Sequence, residues 1–201
     1  SPILLSDFPG NSVLYLKKCE NENELRDVID KLSSKIDLDV LVEKYMTIDE
    51  EYALLGFSDG QEVVIPGIIH INSLANGGHF GVAKTGEVLP LTGFDELVGK
   101  FSALMKRIGY LGVFDIDFYQ SGGKFYFGEI NFRFGGSGYA ITKMGVNLPW
   151  MMVQKLAGQE IMDTDATIQA LKSFVNERMC LLSKASDALE ISSLKKMSVF
   201  V

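Results

Sequence analysis

Residues 112–138 constrain the fold more than any other part of the chain, because two strand patterns follow each other across a glycine turn. GVFDIDFY (112–119) and KFYFGEINF (124–132) alternate polar and apolar side chains, and Ser121-Gly122-Gly123 between them favours a hairpin turn. One face of this hairpin is polar and carries Asp115, Asp117, Glu129, Asn131 and Arg133. The apolar residues of the second strand point the other way and predict a core face: Ile130, Phe132 and Phe134.

The length of the hairpin loop decides whether the polar side chains meet. With an odd number of loop residues centred near Gly123, Asp117 lies opposite Glu129 and Asp115 opposite Asn131, whereas a two-residue turn would split them across the sheet. Crowded carboxylates repel each other unless a cation lies between them, and magnesium prefers hard oxygen ligands. We therefore expect the odd loop and a magnesium site. A solvated face with cross-strand ion pairs is the alternative for each residue taken singly.

Two features beside the carboxylates suit a phosphate. Arg133 supplies a planar fork of donors, and the backbone amides of Gly135-Gly136-Ser137-Gly138 precede a predicted helix. These groups favour a magnesium-bound phosphate over the remaining alternative, which is a calcium-binding acidic hairpin in a domain that binds no nucleotide.

Helix and strand patterns alternate along the rest of the chain. Amphipathic spacing predicts a helix over 21–36, with Asn21 and Glu24 as a capping box, and a second helix between Thr92 as its cap and Gly109 as its end. Other patterns predict strands over 39–46, 51–57 and 62–71, a long loop over 72–90, and short helices over 139–144 and 149–157. This order predicts a mixed α+β fold.

Composition excludes several classes of partner. The chain of 201 residues has a net charge of −7 and a pI near 4.9, which disfavours nucleic acid and acidic membranes. Two cysteines and two histidines show neither a disulfide framework nor metal-ligand spacing, and we expect a cytoplasmic location. We see no signal peptide and no membrane span. Because the chain opens without Met and stops on the apolar SVFV, we expect a piece of a longer protein.

The hairpin resembles the metal-binding core of the ATP-grasp superfamily, which includes D-alanine–D-alanine ligase, biotin carboxylase, carbamoyl phosphate synthetase large chains and L-amino acid ligases. The similarity lies in GVFDIDF, the hairpin, and GEINFRFGGSG, and GVNLPWMMVQKLAG resembles the helix that follows in the carbamoyl phosphate synthetase-like branch. The resemblance implies Asp117, Glu129 and Asn131 as metal ligands, and Arg133 as a catalytic residue that contacts phosphate or an acyl phosphate. It implies ATP and Mg²⁺ as cofactors, with two ions or Mn²⁺ also compatible.

VLVEKYMTIDEEYAL (40–54) resembles the segment that links the two ATP-grasp lobes around adenine. Four residues would then present backbone groups and an apolar edge to the base: Glu43, Lys44, Tyr45 and Met46. A glutamate would bind the ribose hydroxyls, and this is Glu51 if one residue is inserted and Glu50 if none is. An ordinary edge strand with exposed charges is the alternative.

The start of the chain departs from the family pattern. Ser6 stands where a phosphate-binding lysine is usual, and the remnant of the lid loop, residues 9–12, is short of glycine. Lys17 or Lys18 could replace that lysine, and a solvated strand end explains both equally well. Four further residues near the 72–90 loop are weaker candidates for the site: His70, Asn72, His79 and Lys84.

The resemblance implies a domain order and an activity. Residues 1–46 would belong to the small nucleotide-binding lobe, 47–160 to the large lobe with the metal site, and 161–201 to a segment that completes it, with the N-terminal acceptor domain absent. The implied activity is a MgATP-dependent carboxylate–amine or carboxylate–thiol ligase that acts through an acyl phosphate. The substrates would be ATP, a small carboxylate and an amine or other nucleophile. A degenerate module for nucleotide sensing or subunit binding is the alternative, and a homodimer is left open.

Overall fold

The computed structural model describes residues 3–8, 16–33, 39–74, 83–161, 167–176 and 199–200. The chain divides into two compact units, Ser1–Ile48 and Asp49–Val201. Both combine helices with strands, so the α+β prediction is confirmed. Among the described residues, no helix is long and apolar enough to cross a membrane.

The first unit is a three-stranded antiparallel sheet with one helix. Its elements are β1 (Ile3–Phe8), β2 (Leu16–Cys19), α1 (Glu22–Ser33) and β3 (Asp39–Lys44), and the strand order is β2-β1-β3. Helix α1 begins as predicted, because the Glu24 N–H donates to Asn21 Oδ1 at 3.0 Å. Glu24 in return accepts from the backbone N–H of Glu20 at 3.0 Å. Val28 of α1 packs with the buried Cys19 of β2.

The second unit is built on an eight-stranded sheet. Its strands are β4 (Glu50–Asp59), β5 (Val63–Val64), β6 (Ile68–Leu74), β7 (Ala83–Leu89), β8 (Leu111–Ser121), β9 (Lys124–Asn131), β10 (Lys172–Val175) and β11 (Val199–Phe200). Its helices are α2 (Asp95–Ile108), α3 (Gly138–Lys143) and α4 (Leu148–Leu156). The strand order is β11-β10-β7-β6-β4-β8-β9, with β5 paired to β4. Every pairing is antiparallel except that of β10 with β11.

The two faces of this sheet carry separate cores. On one face, α2 packs Phe101 and Met105 against β4 and β8. On the other, α3 and α4 pack Ile141 and Met151 against residues such as Leu55. Because alternate residues of a strand point to opposite faces, β4 and β8 contribute to both cores and are buried along most of their length.

Two local predictions are wrong. Strand β7 occupies part of the expected 72–90 loop; it pairs with β6 on one side and β10 on the other. Helix α2 does not use Thr92 as its cap, because Phe94 holds the cap position and Asp95 accepts from the Gly93 N–H. Its predicted end is confirmed, since Gly109 has a left-handed φ of 67°.

Candidate functional site

The turn of the hairpin contains two residues, so the predicted odd loop is wrong. Gly122 and Gly123 have φ angles of 55° and 75°, as a type I′ turn requires, and Ser121 pairs directly with Lys124. A straight ladder from this turn would place the carboxylates of the two strands on opposite faces.

A β-bulge at Gly128 corrects the register. Beyond it, Asp117 pairs with Glu129 and Asp115 pairs with Asn131, which is the pairing that the predicted site needs. The extra residue therefore does what the odd loop was expected to do. The sequence carried a signal for it, because the odd-numbered positions of the second strand change from aromatic to polar across this glycine.

Space explains why residue 128 is glycine. A Cβ there would lie 2.7 Å from the Tyr119 ring and 2.8 Å from the Asp117 carbonyl oxygen, both closer than van der Waals contact allows. Before the bulge, Phe127 faces the α2 side and approaches Phe101, with ring centroids 6.4 Å apart. After the bulge, Glu129 faces the opposite side. The bulge thus lets one strand serve an apolar face and then a polar one.

The carboxylates on this face are close together and differ in solvation: Asp115 is buried, Asp117 is half-buried and Glu129 is exposed. Burial, with smaller contributions from the charges of Asp115, Glu129 and Glu51, raises the pKa of Asp117 to about 7. Burial also raises the pKa of Asp115 to about 6, where Arg133 opposes the increase and Glu129 adds to it. Proximity of like charges in a buried place makes this face hold a cation or protons at neutral pH.

A hydrogen-bonded chain orders the polar side chains. The Asn131 amide donates to Glu129 Oε1 at 2.9 Å and to Asp117 Oδ2 at 3.4 Å. Arg133 Nη2 donates to Asn131 Oδ1 at 3.2 Å, although β9 ends at Asn131 and strand alternation no longer fixes Arg133. The structure therefore brings together all four residues predicted for metal and phosphate.

The apolar side chains beyond the strand do not share one core face as predicted. Ile130 packs on the α2 side, whereas Phe134 packs against the core on the α3 and α4 side. Phe132 is 51% exposed and lies against Tyr110, with ring centroids 4.8 Å apart. The pattern fails because β9 ends before these last two residues.

The glycine segment closes over the buried carboxylate. A Cβ at Gly135 would overlap Asp115 Oδ2, so only glycine leaves room for the carboxyl group. The Gly138 N–H donates to the Gly135 carbonyl at 3.0 Å and is therefore engaged within the segment. Helix α3 begins here, and its cap Ser137 makes no side-chain capping bond. Anion binding by these amides stays a prediction.

The two candidate ribose ligands lie on opposite faces of β4. Glu51 pairs with Tyr119 on the Asp117 face, where its charge contributes to the raised pKa of Asp117. Glu50 lies on the other face, and its Oε2 is 2.8 Å from His70 Nε2. Strand geometry thus favours Glu51, because a nucleotide whose phosphates lie at Asp117 would extend along the same face.

Of the weaker candidates, His70 makes side-chain contacts that lie on the α2 side. His70 lies between Glu50 and Glu87, with Nδ1 3.5 Å from Glu87 Oε2, and stacks on Tyr52 on the α2 side. Asn72 is exposed, and Lys84 is buried. His79 lies outside the described residues.

In the first unit, the predicted adenine segment covers the end of β3 and the residues after it. Glu43 and Lys44 are exposed, whereas Tyr45 and Met46 are half-buried. The Lys18 ammonium lies 4.6 Å from the Tyr45 ring centroid, a cation–π contact.

At the start of the first unit, the structure describes the strand that contains Ser6. Ser6 lies in the central strand β1, paired with Leu16 and Leu41. Lys17 is ion-paired with Glu24 at 3.1 Å. The predicted lid remnant, residues 9–12, lies outside the described residues.

The donor set fits magnesium held jointly with a ligand. Asp117 and Glu129 present carboxylate oxygens with no positive side chain of the described residues hydrogen-bonded between them, and Asn131 could add its amide oxygen by turning its NH2 group away from the carboxylates. Within the described ranges, no three His, Cys, Asp or Glu side chains converge closely enough to bind an ion by themselves. An ion here would complete its shell with phosphate oxygens and water, which is how magnesium is usually bound beside nucleotides.

Comparison with known proteins gives the fold. No protein-family model and no curated protein matches the chain. Several solved structures match it. N5-carboxyaminoimidazole synthetase from Staphylococcus aureus with ADP matches with a TM-score of 0.64 and 15% identity over 86% of this chain and 44% of that one. The biotin carboxylase domain of Hydrogenobacter thermophilus 2-oxoglutarate carboxylase, with MgADP, ADP and bicarbonate, matches with a TM-score of 0.67 and 20% identity over 86% of this chain and 40% of that one. L-amino acid ligase from Bacillus licheniformis matches with a TM-score of 0.59 and 18% identity over 86% of this chain and 44% of that one.

These three structures belong to ATP-grasp proteins. The chain spans less than half the length of each of them, and the identities of 20% or less make the likeness one of fold. Together with the antiparallel sheet and the acidic hairpin, they establish that this chain has the ATP-grasp fold.

Proposed function

We propose that the chain is the MgATP-binding part of an ATP-dependent ligase that joins a carboxylate to an amine or a thiol. The observation that carries the proposal is the bulged pairing that sets Asp117 against Glu129 and links both to Asn131 by hydrogen bonds. Support comes from the ADP and MgADP present in structures with this fold.

In this proposal, Asp117, Glu129 and Asn131 hold one or two Mg²⁺ ions, or Mn²⁺, against the phosphates. The metal would neutralise the charge that develops on the transferred phosphoryl group. The Asn131 amide donates to Glu129 and its carbonyl oxygen accepts from Arg133; to hold the metal, that oxygen would exchange the guanidinium for the ion. The guanidinium thereby faces the metal-binding side, where it would bind the phosphate or the acyl phosphate.

The acyl-phosphate route divides the reaction into two displacements. A carboxylate oxygen attacks the γ-phosphorus of ATP and ADP leaves; a nucleophile then attacks the acyl carbon and phosphate leaves. Positioning and charge neutralisation would supply most of the rate, since the protein forms no covalent bond in either step. The adenine base would contact four residues: Glu43, Lys44, Tyr45 and Met46. The ribose hydroxyls would be bound by Glu51, with Glu50 as the alternative.

Calorimetric titration with the non-hydrolysable analogue AMP-PNP tests the proposal. We expect binding that requires Mg²⁺, that falls at least tenfold in Glu129→Gln, and that is unchanged in Glu160→Gln, which removes the same charge from an exposed position. Equal binding by wild type and Glu129→Gln would refute the metal assignment. In the intact protein, full ATP-dependent turnover by Asn131→Ala would refute the catalytic one.

A module that senses nucleotide or binds a subunit without catalysis is the second candidate, because serine replaces the usual lysine at position 6. Ser6→Lys should then raise AMP-PNP affinity. An unchanged affinity would indicate that another residue supplies this function. The cytoplasmic location and the absence of nucleic-acid partners remain part of the proposal, and a homodimer is compatible with it.

A further inference from the structure

Asp115 is a buried carboxylate to which the proposed metal site gives no role. Its side chain is 8% exposed, and its Oδ1 atom makes no hydrogen bond to any described residue. A buried carboxylate oxygen without a partner is costly and uncommon in a folded protein. A ligand that supplies the missing partner would account for it.

The neighbouring polar groups are engaged elsewhere. Asn131, directly opposite Asp115, donates to Asp117 and Glu129. Arg133 donates to Asn131 and to the Phe134 carbonyl. The charge of Asp115 raises the pKa of Asp117, but within the described ranges no three His, Cys, Asp or Glu side chains form a group that could hold a metal ion by themselves. The Arg133 guanidinium is near enough to lower the pKa of Asp115 but makes no hydrogen bond to its Oδ1, so a further positive group would supply that missing partner.

The surroundings of Asp115 are shaped around the carboxyl group. Gly135 leaves room for Oδ2 where any Cβ would overlap it. Leu55, its partner on β4, is fully buried in the apolar core beneath α3 and α4. Asp115 thus lies at the boundary between that core and the polar face, where low polarity strengthens any ion pair.

The register places Asp115 at one end of the polar face. Along β8, Tyr119 lies opposite Glu51, Asp117 follows, and Asp115 is next. Same-face neighbours on a strand are about 7 Å apart, so Asp115 lies about 7 Å beyond Asp117 and on the side away from Glu51. If ribose lies at Glu51 and the phosphates at Asp117, this end of the face lies beyond the γ-phosphate, where the acceptor must approach.

We propose that Asp115 binds a cationic group of the acceptor substrate, so that the acceptor is an amine carrying a positive charge at neutral pH, such as a diamine. The inference rests on the proposed function for the placement of the acceptor. The recognition chemistry is an ammonium group that donates to Asp115 Oδ1 while the metal pair holds the nucleotide.

The test is an NMR titration with putrescine and with its neutral analogue 1,4-butanediol, at constant ionic strength. The amides of Asn131, Gly135 and Gly136 report binding, and each titration is run with and without Mg·AMP-PNP. We expect putrescine to shift these amides and butanediol not to. Asp115→Asn should weaken putrescine binding at least tenfold, and Gly135→Ala, which keeps the charge but fills the space beside Oδ2, should weaken it as well. Glu160→Gln is the control, because it removes one negative charge from an exposed position, and it should bind putrescine like the wild type.

Three results would overturn the inference: equal shifts with putrescine and butanediol, unchanged putrescine binding in Asp115→Asn, or a loss of Mn²⁺ affinity in Asp115→Asn as large as that in Glu129→Gln. The last result would make Asp115 a metal ligand. Failure of the proposed function is seen separately, as absence of Mg·AMP-PNP binding in the wild type, and the titration without nucleotide still decides whether Asp115 binds a cation.

Discussion

Replacing Asp117 by asparagine should stabilise the metal-free protein, and by an amount that depends on pH. Burial and neighbouring carboxylates raise the pKa of Asp117 from 3.8 to about 7. The folded state therefore binds more protons than the unfolded state between these values, so stability decreases as pH rises from 3.8 to 7. At 1.36 kcal/mol per pH unit, the raised pKa costs about 2 kcal/mol at pH 5, where the folded state keeps the proton, and about 4 kcal/mol at pH 8, where the group is ionised in both states. Asparagine carries no charge and avoids that cost.

Urea denaturation in EDTA, followed by the fluorescence of Trp150, measures this effect within the second unit. The free energy of unfolding of Asp117→Asn should exceed that of the wild type, with a difference that grows from pH 5 to pH 8. Glu160→Gln should differ from the wild type by a similar small amount at both values. A variant that is less stable than the wild type at pH 8, or a difference that is independent of pH, would refute the electrostatic reasoning.

Magnesium should reverse the order of stability of the wild type and Asp117→Asn. A cation between the two carboxylates removes the repulsion, so 10 mM Mg²⁺ should stabilise the wild type and leave Asp117→Asn unaffected. Equal stabilisation of both proteins would show that magnesium binds elsewhere.

Three further outcomes follow from local structure. Gly128→Ala should lower the free energy of unfolding by roughly 1–3 kcal/mol and weaken Mg·AMP-PNP binding, because its Cβ meets the Asp117 carbonyl. Gly99→Ala in α2 has open space around it and should raise the free energy of unfolding by about 0.5–1 kcal/mol. Calorimetry measures the binding and urea denaturation the stability, and changes of the opposite sign would contradict these expectations. Asn147→Ala should cost about 0.5–2 kcal/mol in urea denaturation, because the Asn147 side chain caps α4; no loss would argue that the cap is unimportant. The Lys155 ammonium and two backbone N–H groups lower the pKa of Asp59 to about 2, so the ion pair should add stability above pH 3.8 that is lost as pH falls towards 2. Because Lys155 is partly exposed, Asp59→Asn should lower the free energy of unfolding by only about 1 kcal/mol at pH 7 and leave it unchanged near pH 2.

The sequence predicted the members of the site better than the geometry that assembles them. Alternation within short strands identified Asp115, Asp117, Glu129 and Asn131, because the side-chain period of a strand is local. The number of residues in the turn and the bulge at Gly128 depend on pairing with β8, which no local pattern specifies. Two errors, an odd-numbered loop and a regular ladder without a bulge, cancelled in the predicted register.

Other failures have the same origin. Strand β7 was predicted as a loop, although its neighbours β6 and β10 satisfy its backbone from both sides. The choice between Glu50 and Glu51 could not be made from the sequence, since one inserted residue exchanges the two faces of a strand. The buried state of Asp115 also depends on Gly135, which lies twenty residues further along the chain.

The location of the unfavourable charges is itself an argument for function. A solvated sheet face with cross-strand ion pairs would leave the pKa values of its carboxyl groups near or below their usual range. Asp115 and Asp117 show the reverse, and burial is the largest cause for both. Replacing Asp115 by an apolar residue of similar size would remove part of this cost. Asp115 is buried and Asp117 half-buried, the bulge aligns them with Asn131 and Glu129, and Gly135 makes room for Asp115; bound cations would offset the cost of this arrangement. Stability of the second unit should therefore rise with magnesium and with a cationic acceptor together, and this coupling distinguishes a binding site from a charged surface.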